Sequence, residues 1–300
     1  MNKILILGFN GMLGTMVSEY FEDLHEFEVY KTSRRIDSSN LDDKIYKFDV
    51  SQDSLENLIE VTKPNYVINC IGVIKPDIDE KNINSVKAAI NINSYFPLQI
   101  ASLSRDFNFK YIQIGTDCVF SGQRGNYDES SFQDASDVYG KTKVAGEIEQ
   151  LGKFILRGSI VGPELGEGKS LLNWFLSEEG GEVSGFSDHS WNGITTLNFA
   201  KIIHGMIKNN NFKNKINHII PKDKVSKFEL LNYFKIYFDV DVQINETSSK
   251  QVVDRTLNTL NISDNLKLWN DAGYEFIPTI EENIKELSES NITRAILNRT

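Results

Sequence analysis

The chain has 300 residues, 40% of them hydrophobic, enough for one large domain or two intimate ones with a sizeable core. A net charge of −10 argues against a nucleic-acid surface, which would need a basic face, and means that an anionic ligand must be met by local positive groups. No apolar run approaches the roughly 20 residues of a membrane span, and the two cysteines, Cys70 and Cys118, suit buried free thiols, not a disulfide scaffold, so the chain reads as cytoplasmic.

Lys3 to Leu7 is a short apolar run, as expected for a strand buried on both faces of a parallel sheet. It is too short for a signal peptide, and glycine breaks it. Gly8-Phe9-Asn10-Gly11-Met12-Leu13-Gly14 follows, and from Met12 to Phe21 apolar residues recur at helical spacing. Strand, glycine turn and helix form the context of a dinucleotide-binding fingerprint, spaced here Gly-x-x-Gly-x-x-Gly. In that reading Gly8 permits the tight turn, Gly11 lets backbone approach a pyrophosphate, and Gly14 lets helix pack on strand. Asn10, Met12 and Leu13 complete the turn, and the helix N-terminus offers free N–H groups to the phosphates.

Further strands are expected at Phe27–Thr32, Ile45–Val50, Tyr66–Cys70, Phe109–Gly115 and Phe154–Arg157. Helices are expected between them at Ser51–Thr62, Asp79–Asp106 and Asp137–Leu151. Such alternation implies an α/β fold with a doubly wound parallel sheet, and ligands then sit at the carboxyl ends of the strands. Gly8, Arg34, Asp49, Gly72, Thr116 and Arg157 fall at or just past such ends. After Gly158 the pattern changes to a loop, Gly162 to Gly168, and then helices dominate, at Ser170–Glu178, Leu197–Lys208, Lys227–Phe238 and Thr279–Leu287. Short strands are expected at His218–Ile220 and Val240–Ile244. The apolar stripe from Leu230 to Ile236 reads as core. Residues 1–160 are expected to form the dinucleotide domain, to which a segment near 190–221 returns, and 161–300 a smaller mixed substrate lobe.

Tyr139 and Lys143 stand four residues apart on one expected helix and so share a face. A free phenol, with a pKa near about 10, is a poor proton donor at neutral pH. An adjacent ammonium is expected to lower that value, which suits the pair to proton transfer at a carbonyl or alcohol oxygen. Other motifs fall away. Gly168-Lys169-Ser170 imitates a phosphate loop, but Pro163 occupies the place of its first glycine. His25, His189, His204 and His218 lack metal-ligand spacing, so no metal site is expected.

These residues together resemble the extended short-chain dehydrogenase/reductase superfamily of Rossmann-type enzymes, most of all its dTDP-4-dehydrorhamnose reductases and related sugar-nucleotide reductases. The carriers are the N-terminal Gly-x-x-Gly-x-Leu-Gly, Ile114 to Gly122, Tyr139-Gly140-Lys141-Thr142-Lys143 with Gly146-Glu147, Ile92-Asn93 with Pro97, and Ile155-Leu156-Arg157. The likeness covers about the first 160 residues and is thinner beyond. It implies a catalytic set of Thr116, Tyr139 and Lys143 supported by Asn93, with Tyr139 protonating the sugar C4 oxygen. Lys143 would lower the tyrosine pKa and hold the nicotinamide ribose, and Thr116 would hold the carbonyl oxygen. Thr116 is also compatible with satisfying a turn at a strand end, and Asn93 with a backbone-bonded helix amide.

Ser33, Arg34 and Arg35 at the end of the second strand suit the 2′-phosphate of NADP, with NAD as the alternative, though both arginines also suit a solvated surface. Asp49 and Val50 would lie beside the adenine; Cys70, Ile71 and Gly72 would line the nicotinamide half, with Asn93, Tyr139 and Lys143. Substrate contacts are expected from Cys118, Val119, Phe120, Arg157 and Ile160. Lys75 and Trp191 sit in candidate substrate loops and equally suit surface and packing roles. Cys118 and Ile160 stand where the family often has aromatics that touch the sugar, so the sugar is open. The implied activity is NADPH-dependent reduction of the 4-keto group of a nucleotide-activated 6-deoxy sugar for surface polysaccharide. A sugar-nucleotide epimerase and a non-catalytic regulatory subunit are the alternatives. The expected partner is the nucleotide sugar, with no nucleic acid or membrane, and a homodimer is left open.

Overall fold

A computed structural model describes residues 1–36, 43–148, 152–166 and 169–299; the expected helix end at Leu151 and loop residues Glu167 and Gly168 lie outside these. The chain divides into two compact units. One comprises Met1–Phe120, Gln133–Arg157 and Phe212–Asn217; the other comprises Ser121–Phe132, Gly158–Asn211 and the residues from His218 onward.

The first unit is built on β1 (Asn2–Leu7), α1 (Met12–Asp23), β2 (Phe27–Ser33), β3 (Ile45–Lys47), α2 (Leu55–Thr62) and β4 (Tyr66–Asn69). A helix follows as α3 (Ile83–Ile90), which passes through a π turn at Asn91–Tyr95 into α4 (Phe96–Asp106). Then come β5 (Lys110–Ile114), α5 (Val138–Gly146) and β6 (Phe154–Arg157). Among the described residues the sheet has seven strands. Its order is the short strand Ile216–His218, then β6, β5, β4, β1, β2 and β3, with the pairs from β6 to β3 all parallel.

Ile4, Leu5, Ile6 and Leu7 are fully buried because β1 lies mid-sheet with both faces covered. One face packs Leu5, Leu7, Val67 and Tyr111 against Leu58, Ile59, Phe96 and Ile100 from α2 and α4. Strand order reverses between β1 and β4, so the crevice at a doubly wound sheet's switch point falls at Gly8 and Cys70. Several helices start later than their spacing suggested, because the polar residues expected at their starts are outside them as caps or turns. Ser54 accepts from Asn57 N–H, and Asn82 from the N–H groups of Asn84 and Ser85.

The second unit holds α6 (Leu171–Ser177), α7 (Thr196–Lys208), α8 (Lys227–Tyr237), α9 (Ile262–Asp271), α10 (Ile280–Glu289) and α11 (Asn291–Leu297). Strand Glu182–Phe186 pairs in parallel with Gln243–Thr247, Ile160–Val161 in parallel with Ile194–Thr195, and Ser190–Trp191 antiparallel with Val225–Ser226. Leu230, Leu231 and Phe234 of α8 are buried, as their stripe predicts. The expected strand Val240–Ile244 is displaced to Gln243–Thr247, because Asp239 turns left-handed and Val240 N–H still bonds the Lys235 carbonyl of α8. The expected strand His218–Ile220 lies instead at Ile216–His218. Segment Ser121–Phe132 is fastened within this unit: Tyr127 N–H donates to Thr256 O (2.9 Å), Asn258 N–H to Tyr127 O (2.7 Å), and the Glu129 carboxylate accepts from Thr259 Oγ1 (2.6 Å) and Leu260 N–H (2.9 Å). Among the described residues no helix is long and apolar enough to cross a membrane.

Candidate functional site

The glycine turn separates what the fold requires from what it does not. Gly8 adopts φ +83°, and a Cβ there would lie 2.7 Å from Ile71 Cγ1. At Gly14 a Cβ would fall 2.1 Å from the Gly8 carbonyl oxygen. Both positions exclude any larger residue on internal grounds. Gly11 differs: it is exposed, its φ of −82° suits any residue, and a Cβ would meet only Gly8 O at 3.7 Å. Packing does not demand glycine there; close approach of a ligand to the backbone would. Gly11 caps α1 without a side-chain hydrogen bond, so no capping side chain occupies the first-turn N–H groups, Met12 included, which suits them to a phosphate-sized group. Leu13 turns its side chain into the core and leaves only backbone for such a role.

The turn is stitched to the end of β2. Gly8 N–H donates to the Thr32 carbonyl (3.0 Å) and hydroxyl (3.2 Å), and Asn10 Nδ2 donates to Ser33 Oγ (2.8 Å), which also accepts from Arg35 N–H (3.2 Å). Arg34 and Arg35 are exposed, and among the described residues neither guanidinium has an ion-pair partner. Asp49 spends one carboxylate oxygen on Ser51 N–H (2.8 Å), closing the turn after β3, while Val50 packs against the core. At the end of β4, Asn69 donates to Gln113 Oε1 (3.0 Å), with Tyr111 hydroxyl bonded to the same oxygen, and accepts from Ile71 N–H (3.1 Å). This buried network fixes the path of Cys70-Ile71-Gly72. Cys70 is a half-buried free thiol whose pKa burial pushes up to about 12; Gly72 is exposed.

Tyr139, Lys143, Thr116 and Asn93 converge. Asp137 caps α5 by accepting from Gly140 N–H (2.8 Å), which starts the helix at Val138, one residue before Tyr139. Two glycines seat α5 between its neighbours: a Cβ on Gly140 would strike Cys118 O at 2.5 Å, and one on Gly146 would strike Asn93 O at 2.1 Å. Tyr139 lies close enough to Thr116 for the threonine side chain to act on its phenol. Thr116 Oγ1 accepts from Cys118 N–H (3.1 Å) and donates to Asp117 Oδ1 (3.2 Å). Lys143 Nζ donates to the Ile114 carbonyl (2.9 Å) at the end of β5. Asn93 is wholly engaged: Nδ2 donates to Val73 O (2.9 Å) and Thr142 Oγ1 (3.2 Å), and Oδ1 accepts from Val73 N–H (2.9 Å). It ties the loop after β4 to α5.

The direction expected for the tyrosine is corrected. Burial pushes the Tyr139 pKa up, reinforced by Cys118, against the lowering effect of Thr116. Burial also pushes Lys143 down, opposed by the Glu147 carboxylate. Desolvation of the phenolate outweighs the lowering effect of Thr116.

Several expected substrate contacts are corrected too. Val119 and Phe120 are buried in the core. Arg157 is 1% exposed: its Nη2 meets Glu147 Oε2 at 2.5 Å, and its guanidinium lies over the Phe120 ring at 5.5 Å. In the second unit Trp191 is buried, with Nε1 donating to Ser159 Oγ (2.8 Å) and the Lys227 ammonium over its ring. A residue at a strand end points into the core or the crevice according to pleat and packing, which sequence position does not reveal. Cys118 is a half-buried thiol outside any disulfide, close enough to act electrostatically on Tyr139 and Lys143; Ile160 is half-buried. Lys75 is exposed and pairs with Asp137 at 2.9 Å, fastening the loop after β4 to the cap of α5. Glu147 was not singled out as a site residue, although it stands one helical turn after Lys143, a spacing that would have found it. His218 Nδ1 lies 2.7 Å from Asn258 O, and His189 Nε2 3.3 Å from Gln251 O.

Comparison with known proteins adds to this geometry. The family model for the RmlD substrate binding domain matches residues 1–261. Methionine adenosyltransferase 2 subunit beta of Danio rerio is 25% identical over 245 residues, 76% of this chain and 71% of that protein. The dTDP-4-keto-6-deoxy-D-glucose reductase of Streptomyces niveus is 25% identical over 213 residues, 69% of each. In three dimensions the chain is similar to the dTDP-4-dehydrorhamnose reductase of Bacillus anthracis in complex with NADP. Its TM-score is 0.74 at 22% identity, covering 96% of this chain and 99% of that one.

Proposed function

The chain belongs to the RmlD substrate binding domain family, and from that premise we propose that it is an NAD(P)-dependent oxidoreductase of nucleotide sugars. Its reaction is reduction of the 4-keto group of a nucleotide-activated 6-deoxy sugar with NADPH, in the assembly of a surface polysaccharide. The observation that carries this reading is the gathering of Thr116, Tyr139 and Lys143 at the end of β5, where Tyr139 lies near Thr116 and Lys143 Nζ donates to the Ile114 carbonyl. The reductase names of two relatives support the substrate class, and the NADP of the Bacillus anthracis structure supports the cofactor.

The residues present fit a dinucleotide, since packing does not demand glycine at position 11 and close approach of a pyrophosphate to the backbone would. Gly8, Gly11 and the first turn of α1 would hold the pyrophosphate, Ser33 with Arg34 and Arg35 a 2′-phosphate, Asp49 and Val50 the adenine side, and Cys70 to Gly72 with Lys143 the nicotinamide side. When bound, the cofactor supplies the hydride. A keto oxygen arriving beside Tyr139 and Thr116 would accept a hydrogen bond from the phenol. A phenol with a raised pKa is fully protonated at neutral pH, so it is loaded as an acid, and the alkoxide forming on the sugar is basic enough to take its proton. Thr116, already fixed by Cys118 N–H, orients that oxygen. Asn93 acts at one remove, by holding α5 and the loop after β4 in register.

Following NADPH absorbance with dTDP-, UDP- and GDP-linked 4-keto-6-deoxy sugars tests the proposal. Stoichiometric oxidation with one of them is expected; conversion of a sugar with no net NADPH use would make the protein an epimerase. The similarity to methionine adenosyltransferase 2 subunit beta favours a second reading, a non-catalytic subunit of an enzyme assembly. Retention of both Tyr139 and Lys143 weighs against it. Failure to oxidise NADPH with every keto sugar, together with stable capture of a partner enzyme, would establish it.

A further inference from the structure

Behind Lys143 lies a buried cluster that the chemistry above does not use. Glu147 follows the last turn of α5, one helical turn beyond Lys143. Its carboxylate accepts from Arg157 Nη2 (2.5 Å) and Gln133 Nε2 (3.1 Å) through Oε2. Its other oxygen, Oε1, is buried without a hydrogen bond and lies against Gly115, where a Cβ would come within 3.0 Å. Lys153, fully buried, bonds the Gly146 carbonyl. One buried carboxylate therefore pairs with Arg157 while two buried ammoniums stand near it on backbone carbonyls, Lys143 on Ile114, next to the Gly115 that Oε1 lies against, and Lys153 on Gly146. Ion pairs of this kind add little net stability over apolar packing, so stability alone is a weak reason for this one.

Resting on the reductase reading, we infer that Glu147 is a positioning residue: its carboxylate, held by Arg157 and Gln133, is the counter-charge that keeps Lys143 an ammonium beside Tyr139. The charged and titratable groups around Lys143 are Glu147 and Tyr139 on either side of it along α5, Cys118 on the turn after β5, Arg157 on β6 and Lys153 just before β6. Of these, Glu147 offsets burial of the lysine most, Cys118 acts in the same sense, and Arg157 works against both. Lys153 responds in the same way: burial presses it down to about 8, with Glu147 opposing. Two lysines thus depend on one carboxylate, and Gly115 leaves the room for its free oxygen.

The test is a direct titration of Lys143 by nuclear magnetic resonance in lysine-labelled protein, assigned through Lys143→Arg, so that the readout does not depend on turnover. Glu147→Gln is expected to lower the Lys143 midpoint by about one unit, a tenfold loss of proton affinity. The alkaline limb of kcat should move down with it while KM stays near the wild-type value. Arg157→Met leaves the carboxylate to the two lysines and should move the midpoint up; it supplies the answer if Glu147→Gln does not fold. An unmoved Lys143 midpoint in either folded variant overturns the inference and makes Glu147 a structural partner of Arg157 alone. Should no keto sugar be reduced by the wild type, the function fails while the titration still decides the role of Glu147.

Discussion

Paired substitutions in the glycine turn separate a demand of the fold from a demand of the ligand. In Gly14→Ala the new methyl would sit 2.1 Å from the Gly8 carbonyl oxygen and 2.9 Å from its carbon. Backbone must give way by about an ångström, and overpacking of that order costs about 1–3 kcal/mol. In a chain of this size that lowers Tm by roughly 2–4 °C per kcal/mol. In Gly11→Ala the nearest atom is 3.7 Å away and the backbone is already extended. Loss of a good helix cap and gain from a less flexible unfolded chain are each below about 1 kcal/mol and oppose one another, so Tm should hardly move. A pyrophosphate on the α1 N–H groups would be held off by the same methyl. One charge-assisted hydrogen bond lost is worth about 1.5–3 kcal/mol, a weakening of roughly 10- to 100-fold. Thermal melts with NADPH titration by calorimetry read both quantities. Gly11→Ala binding NADPH as tightly as the wild type would refute the dinucleotide cradle.

Tyr139→Phe should lower turnover by about 10²- to 10⁴-fold, the usual worth of a general acid, with NADPH affinity retained; near-normal rates would remove the phenol from its role. Arg34→Ala and Arg35→Ala should weaken NADPH relative to NADH, and an unchanged ratio of the two affinities would assign both arginines to the solvated surface. Burial works to raise the Glu129 pKa, but hydrogen bonds from Thr259 and Leu260 N–H prevail and hold it below the ordinary 4.5. A depressed folded value means stability that is present above pH 4.5 and lost as pH falls through the folded pKa. The Tm gap between wild type and Glu129→Gln should therefore narrow in acid; a gap constant from pH 7 to pH 3 would contradict this sign.

The first unit was legible because its signals are local. Lys3–Leu7 and the glycines after it announce strand, turn and helix, and Phe154–Arg157 matches its expected bounds. The convergence of Thr116 with Tyr139 came through family resemblance, since 23 residues separate them in sequence. Desolvation was illegible. Sequence puts an ammonium one turn from a phenol but is silent on how much water both have lost, and that loss reverses the sign for Tyr139. Arg157 and Phe120 misled for a related reason, since a strand-end or loop position does not say which way a side chain points; Trp191 took the packing role that its loop position left open. The two-residue strands Ile160–Val161, Ser190–Trp191 and Ile194–Thr195 are too short for any periodicity to register.

The assignment of Ser121–Phe132 has a practical corollary. The polypeptide changes unit at Phe120–Ser121, Phe132–Gln133, Arg157–Gly158, Asn211–Phe212 and Asn217–His218. Neither half is a cassette. A fragment stopped at Arg157 would lack the strand that covers the β6 edge and would present an unpaired, aggregation-prone border. Its complement would lack the segment bound by Thr256, Asn258 and Leu260. Chimeras that transplant specificity between relatives therefore need to exchange Ser121–Phe132 along with Gly158–Asn211 and the residues from His218 onward, while keeping Phe212–Asn217 with the recipient's sheet.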